Sequence, residues 1–299
     1  MNLKEKIFFF SGKGGVGKTT LSSAIATTFA DMGFKTLLVS LDPAHSLSLT
    51  LNVKGLDNIK KITSNLYALE INVDNEMKSY LKRVEKETER IVSPVIFEEI
   101  KKQIELAYYS PGAFELAILD IIHRVVYESK NFEKIVFDTA PSGYTLRLVS
   151  LPSVFNDWID GLINLREEVV KYEFYGNLEE KRELSKVIEN DDVIKILKRR
   201  KAQFELLREV FLGEETLFGV VLIPQKLPVK IAKRTLEELE SLGVKVNYLF
   251  VNKVKSEKEV KEVEENIPNR KLILIKELER EPIGIKSLLS IGREVLKQF

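Results

Sequence analysis

An apolar run, Ile7 to Phe10, leads directly into Ser11-Gly12-Lys13-Gly14-Gly15-Val16-Gly17-Lys18-Thr19-Thr20, the stretch that most restricts how this chain can fold. From Gly12 the spacing is a glycine, four residues, then Gly-Lys-Thr, which is the pattern of a phosphate-binding loop between a strand and a helix. The expected binding set is Gly12, Gly14, Gly15, Val16, Gly17, Lys18, Thr19 and Thr20. Glycines let main-chain N–H groups converge on phosphate oxygens, and the first turn of the following helix adds positive partial charge there. Lys18 is expected to reach the β- and γ-phosphates, and Thr19 to place its hydroxyl on Mg²⁺. Four glycines alone would also allow an ordinary flexible turn; the flanking strand and helix favour the phosphate loop.

Such a loop belongs on a parallel sheet. Lys6 to Phe10 and Thr36 to Ser40 read as buried strands, joined by a helix from Thr20 to Met32 that stops at Gly33. Further strands are expected at Leu66 to Ile71, Lys134 to Phe137, Leu217 to Ile223, Val246 to Val251 and Leu272 to Ile275. Helices are expected at Asp74 to Val92, Pro94 to Tyr109, Ala113 to Tyr127, Asn156 to Lys171, Leu178 to Phe211 after a break near Gly176-Asn177, Ile231 to Leu242, and at the end of the chain. Lys255 to Glu265 reads as a solvated helix. The alternation gives an α/β fold, a doubly wound, mostly parallel sheet of the phosphate-loop NTPase type with an inserted helical subdomain. At 299 residues, a single domain over 1–299 with helical insertions at about 74–127 and 156–212 accounts for the chain.

Two strand ends carry further candidates. Asp42-Pro43-Ala44-His45-Ser46-Leu47 follows the second strand at its C-terminal end, where α/β sheets place ligands. Asp42 there can orient or deprotonate a water beside the γ-phosphate; taken alone, the same Asp-Pro pair also reads as a turn or cap carboxylate. His45 is read as structural. Asp138-Thr139-Ala140-Pro141-Ser142-Gly143 closes another apolar strand. Asp138 is placed to hold Mg²⁺ through water, and Gly143 to offer its N–H to the γ-phosphate, although an ordinary turn would have the same letters. Asn252-Lys253 resembles the start of a guanine-reading Asn-Lys-x-Asp, but Lys255 stands where the carboxylate is needed and cannot accept the ring N–H bonds. Adenine, with Asn252 contacting the base, is therefore expected.

Charge and cysteine content bound the rest. Lys and Arg total 46 against 45 Asp and Glu, so no net field favours nucleic acid, and none is expected as partner. Cys is absent, which excludes disulfides and thiolate zinc sites, so no zinc is expected. The short charged segment before the first strand is unlike a secretory signal, and no apolar stretch reaches membrane-spanning length, so a cytoplasmic location is expected. The Lys/Glu-rich balance with three Met resembles that of hyperthermophile proteins.

Together these residues resemble the ArsA-type arsenite-pump ATPases and the related ATPases of guided entry of tail-anchored membrane proteins. The motifs are the Gly12 to Thr20 loop, Asp42 to Ser48, Asp138 to Leu148, and Glu281-Pro282-Ile283-Gly284, which looks like the family's late nucleotide-pocket loop and adds Pro282 to the binding set. The resemblance implies that Lys13 acts across a homodimer on the partner's nucleotide, that Asp42 is the water-activating residue of switch I, and that Asp138 to Gly143 is switch II. It implies Mg²⁺-dependent ATP hydrolysis coupled to an apolar transmembrane-helix client or a membrane receptor. An oxyanion pump-driving ATPase and a partition-type scaffold are the alternatives. The chain departs from the family at Leu49, where an Asp often stands, in lacking the Cys-x-x-Cys zinc pair that often holds the dimer, and in its few methionines.

Overall fold

The computed structural model describes residues 4–299 except 45, 111, 130, 175–180 and 247, and omits the side chains of 95, 173, 174 and 181–183. In chain order the elements are β1 (Ile7–Gly12), α1 (Lys18–Asp31), β2 (Thr36–Ser40), α2 (Leu47–Leu51), β3 (Lys60–Lys61), β4 (Leu66–Glu70), α3 (Val73–Glu89), α4 (Pro94–Ala107) and α5 (Ala113–His123), which a π-helical turn, Arg124–Glu128, extends. There follow β5 (Lys134–Asp138), α6 (Ser142–Phe174), α7 (Lys181–Asn190), α8 (Asp192–Leu212), β6 (Thr216–Leu222), α9 (Lys226–Ser241), β7 (Tyr248–Val254), α10 (Glu257–Asn266), β8 (Lys271–Lys276) and α11 (Ile285–Leu296).

The strands form one sheet in the order β3-β4-β2-β5-β1-β6-β7-β8, parallel except where the short β3 runs against β4. The doubly wound, mostly parallel sheet expected from the sequence is thus present. β1 lies inside it because Ile7 to Gly12 is buried at every position, as suits a strand covered on both faces. On one face Phe9 stacks between Phe137 and Phe218, at centroid separations of 4.6 and 4.9 Å. On the other, α1 is buried almost all round and α11 lies against it at a glycine. A Cβ on Gly292 would stand 2.1 Å from Thr28 Oγ1 and 2.3 Å from the Ala24 carbonyl oxygen, so the two helices approach to backbone distance.

The residues divide into two compact units. One comprises Met1–Val73, Arg124–Val149 and Val210–Phe299 and contains the whole sheet; the other comprises Asp74–His123 and Ser150–Glu209 and is helical. Within the helical unit one apolar cluster gathers Met77, Ala113 and Ala117, and a second gathers Ile159, Ile163 and Ile194.

Helix boundaries differ from the sequence reading in several places, α9 for example beginning at Lys226 and not at Ile231, and two of the differences have a clear physical reason. The helix expected from Asn156 begins at Ser142 and runs unbroken through Pro152, because the proline's missing N–H removes one bond from a helix of 33 residues that many others hold. The stretch expected as one helix to Phe211 is divided at Asp191, whose Oδ1 accepts from the Ile194 N–H at 2.9 Å and whose Oδ2 accepts from Arg166. Burial pushes the Asp191 carboxyl up, but the hydrogen bonds from Arg166 and the Ile194 N–H outweigh it and hold the pKa below the usual range. The expected break at Gly176-Asn177 lies outside the described residues.

Candidate active site

A cavity of about 670 Å³ opens at the C-terminal ends of the strands, a size suited to a nucleotide. It is lined by Gly14, Gly15, Gly17, Lys18, Thr19 and Thr20 from the phosphate loop, by Asp42, Ala44, Ser46 and Thr50 beyond β2, and by Pro141, Asn252, Lys253 and the segment Lys276 to Pro282. Sheet order explains the gathering: β1 carries the loop, its neighbour β5 brings Asp138, and β2 lies next along.

Lys18 is buried, and its Nζ donates to the Lys13 carbonyl at 3.4 Å, folding the side chain back over its own loop. Burial lowers its pKa below the ordinary lysine value, with Asp138 and Asp42 pulling the other way. An anion arriving in the cavity would restore the charge that burial disfavours. Gly17 has φ of 97°, and a Cβ there would lie 2.3 Å from Asn252 Nδ2, so both backbone conformation and space require glycine.

Around Thr19 the groups are all oxygen. Thr19 Oγ1 donates to Asp138 Oδ2 at 2.7 Å and lies 3.1 Å from Ser46 Oγ, while Ser40 Oγ donates to the same carboxylate oxygen at 3.4 Å. Asp138 is fully buried, and its Oδ1 has no hydrogen-bond partner among the described residues. Burial pushes its pKa up to about 6, against the Thr19 hydroxyl and the Lys18 charge; Asp42 adds to the rise and Ser40 opposes it. A buried carboxylate oxygen without a donor, beside a hydroxyl pair, fits a hard cation that takes oxygen ligands and retains water, as Mg²⁺ does.

Asp42 lines the cavity and also accepts from the Ala44 N–H at 3.0 Å, so the turn and the cavity-facing readings coexist at one carboxylate. Asn252 is more constrained than the sequence suggested. Its Nδ2 donates to the Val16 carbonyl at 2.8 Å and its Oδ1 accepts from the Lys253 N–H at 2.9 Å, while Lys253 adopts φ of 56°. The side chain that was expected on the base thus also buttresses the phosphate loop. Pro282 reaches the cavity, and the loop behind it is tied to α2 by the Gly284 N–H, which donates to the Thr50 carbonyl at 2.9 Å.

Some expected residues lie off the cavity. Gly12 is buried at the end of β1, Val16 is buried with its carbonyl on Asn252, and Lys13 is half-buried beside the loop. Gly143 is exposed in the first turn of α6 and does not line the cavity. His45 lies outside the described residues. Sequence reasoning assigned no role to Ser46, Thr50 or Glu70. Ser46 stood inside the quoted motif, but its closeness to Thr19 depends on how α2 is held.

Comparison with known proteins gives a consistent result. Residues 5–293 match the family model described as anion-transporting ATPase, ArsA_ATPase. A protein of Aquifex aeolicus named as arsenical pump-driving ATPase 2 is 34% identical over 98% of this chain and 97% of its own length. An ASNA1 homologue ATPase of Entamoeba dispar is 31% identical over 83% of this chain and 76% of its own, and the ATPase GET3C of Arabidopsis thaliana is 31% identical over 84% and 67%.

Proposed function

This chain belongs to the ArsA-type anion-transporting ATPase family and is an ATPase, and from that premise we propose that it works as a homodimer that couples MgATP hydrolysis to capture of an apolar client, such as the membrane helix of a tail-anchored protein. The observation that carries the client reading is on α6. Val154, Trp158, Leu165, Val169 and Tyr172 are spaced to share one side of the helix, and they are exposed by 58, 61, 61, 44 and 79%. A row of large apolar side chains left in water invites an apolar partner. No helix among the described residues is long and apolar enough to cross a membrane, so such a helix would come from the client or a membrane receptor.

In the proposed cycle Lys18 leaves the Lys13 carbonyl for the β- and γ-phosphates, and the loop N–H groups hold the phosphate chain. Thr19 and Asp138 would hold Mg²⁺, directly and through water respectively, and the ion supplies neutralisation of charge on the β- and γ-phosphates. Asp42 takes the proton from the water that attacks the γ-phosphorus; the bond to the ADP oxygen breaks, and ADP and phosphate leave. Lys13 reaches across the two-fold axis to the partner's nucleotide, Gly143 comes within reach of the γ-phosphate on closure, and Asn252 and Pro282 flank an adenine.

Two measurements test this reading. Asp42→Asn is expected to keep ATP affinity and lose most turnover, since the amide preserves size but takes no proton. Co-expression with tail-anchored proteins is expected to retain those with an intact C-terminal apolar helix; retention of none by an active ATPase would remove the client reading. The Aquifex relative's name favours a second reading, an oxyanion pump-driving ATPase. With no Cys in the chain, it requires an anion site without thiolates and is tested by stimulation of turnover with oxyanions.

A further inference from the structure

Glu70 closes β4 in register with Ser40, the last residue of β2 and two positions before Asp42. It is buried, at 8% exposure, outside the cavity lining, and it touches neither the phosphate loop nor Asp138 by any hydrogen bond among the described residues. Its Oε1 instead accepts from the main-chain N–H of Leu47 at 2.8 Å and of Ser48 at 3.3 Å. A buried polar group is costly unless it is hydrogen-bonded, and both bonds of this oxygen go to the segment that follows Ser46.

The same segment has other holds: the Gly284 N–H donates to the Thr50 carbonyl at 2.9 Å, and the Asp42 N–H donates to Ser40 Oγ at 3.4 Å. Leu47 and Leu51 bury their side chains, and Thr50 bonds back to the Ser46 carbonyl through both its N–H and its hydroxyl. Ser46 Oγ then lies 3.1 Å from Thr19 Oγ1, which donates to Asp138. Glu70 thus ties the start of α2 to the sheet, and the β2–β4 register brings this anchor to the strand end from which Asp42 departs.

We propose that Glu70 is a positioning residue for ATP hydrolysis: through Leu47 and Ser48 it holds the Ser46 hydroxyl against Thr19 and keeps Asp42 at the cavity wall. It acts through other residues and meets no reacting atom. The inference rests on the proposed role of Asp42 and adds to it the device that places that residue.

Three variants separate placement from charge. Glu70→Gln retains the reach and an acceptor oxygen; Glu70→Asp retains the charge but is one methylene too short; Glu70→Ala has neither. Glu70→Ala and Glu70→Asp are expected to lower kcat by about 10- to 100-fold while KM for ATP stays within about threefold, and Glu70→Gln to recover most of the loss. Independently of turnover, hydrogen exchange at the Leu47 and Ser48 amides of the nucleotide-free protein should quicken in the Ala and Asp variants and remain slow in Gln. Wild-type kcat with unchanged exchange in Glu70→Ala would overturn the proposal, as would a Gln variant as impaired as Ala in both readouts. Should Glu70→Ala fail to fold, the contrast between the Gln and Asp variants decides the matter. Normal turnover by Asp42→Asn would instead defeat the water-activating reading, while the exchange data would still report whether Glu70 holds the segment.

Discussion

At the scale of single residues, Asp138 combines full burial with a carboxylate oxygen that has no donor among the described residues. Its pKa is raised from the ordinary 3.8 to about 6, so the folded protein binds this proton more tightly than the unfolded chain. Its contribution to stability is therefore fully present below pH 3.8, declines between that pH and about 6, and stays lost above. Asp138→Asn removes the ionisation: without nucleotide it should melt higher than wild type at pH 7 to 8, by an amount of up to about 3 kcal/mol, and the difference should vanish near pH 4. Equal melting of the two proteins across this range would show that burial is not what sets the group. The placement of Lys18, Thr19 and Asp138 near one another was legible in the sequence because it follows from position at a strand end or in a nine-residue loop. The bonds from Asn252 to Val16 and from Glu70 to Leu47 were not, because they join residues 236 and 23 positions apart. Only the order and register of the strands bring them together.

At the scale of elements, the sheet was legible from its short apolar runs, since a parallel strand covered on both faces reads as a near-continuous apolar stretch too short for a helix. Helix ends were less so. Asp191 resembles other Asp-rich surface sequence until Ile194 and Arg166 are seen to bond to it, and the stretch before Asn156, which α6 includes together with Pro152, was not read as helix. The contact between α1 and α11 was not legible at all, because a glycine within a helix can mark a weak point or a close approach. Here it is the latter, with carbonyl and hydroxyl oxygens where a methyl group would go. Gly292→Ala should therefore destabilise the protein by about 1 to 3 kcal/mol, although alanine is the better helix former by up to about 1 kcal/mol. Urea unfolding measures it, and an unchanged or raised midpoint would mean that the helices can part without cost.

At the scale of the whole molecule, the proposed dimer rests on Lys13, half-buried beside a loop whose main chain already engages Lys18. If Lys13 serves the partner's nucleotide as an arginine finger does, Lys13→Ala should lose roughly 10³- to 10⁵-fold in kcat with ATP binding largely kept. Mixing it with Asp42→Asn should recover turnover, because each mixed dimer holds one site with both groups. A monomer in ATP that hydrolyses normally without Lys13 would exclude the arrangement. The bond from the Gly284 N–H to the Thr50 carbonyl has a further consequence. Thr50 is bonded in turn to Ser46, so the loop carrying Pro282 and the segment carrying Ser46 share one backbone linkage. Exchanging the purine is then a perturbation of the catalytic step as well as of affinity: GTP, expected to bind more weakly than ATP, should also turn over more slowly at saturation, and equal saturating rates would show that the two ends of the nucleotide are handled independently.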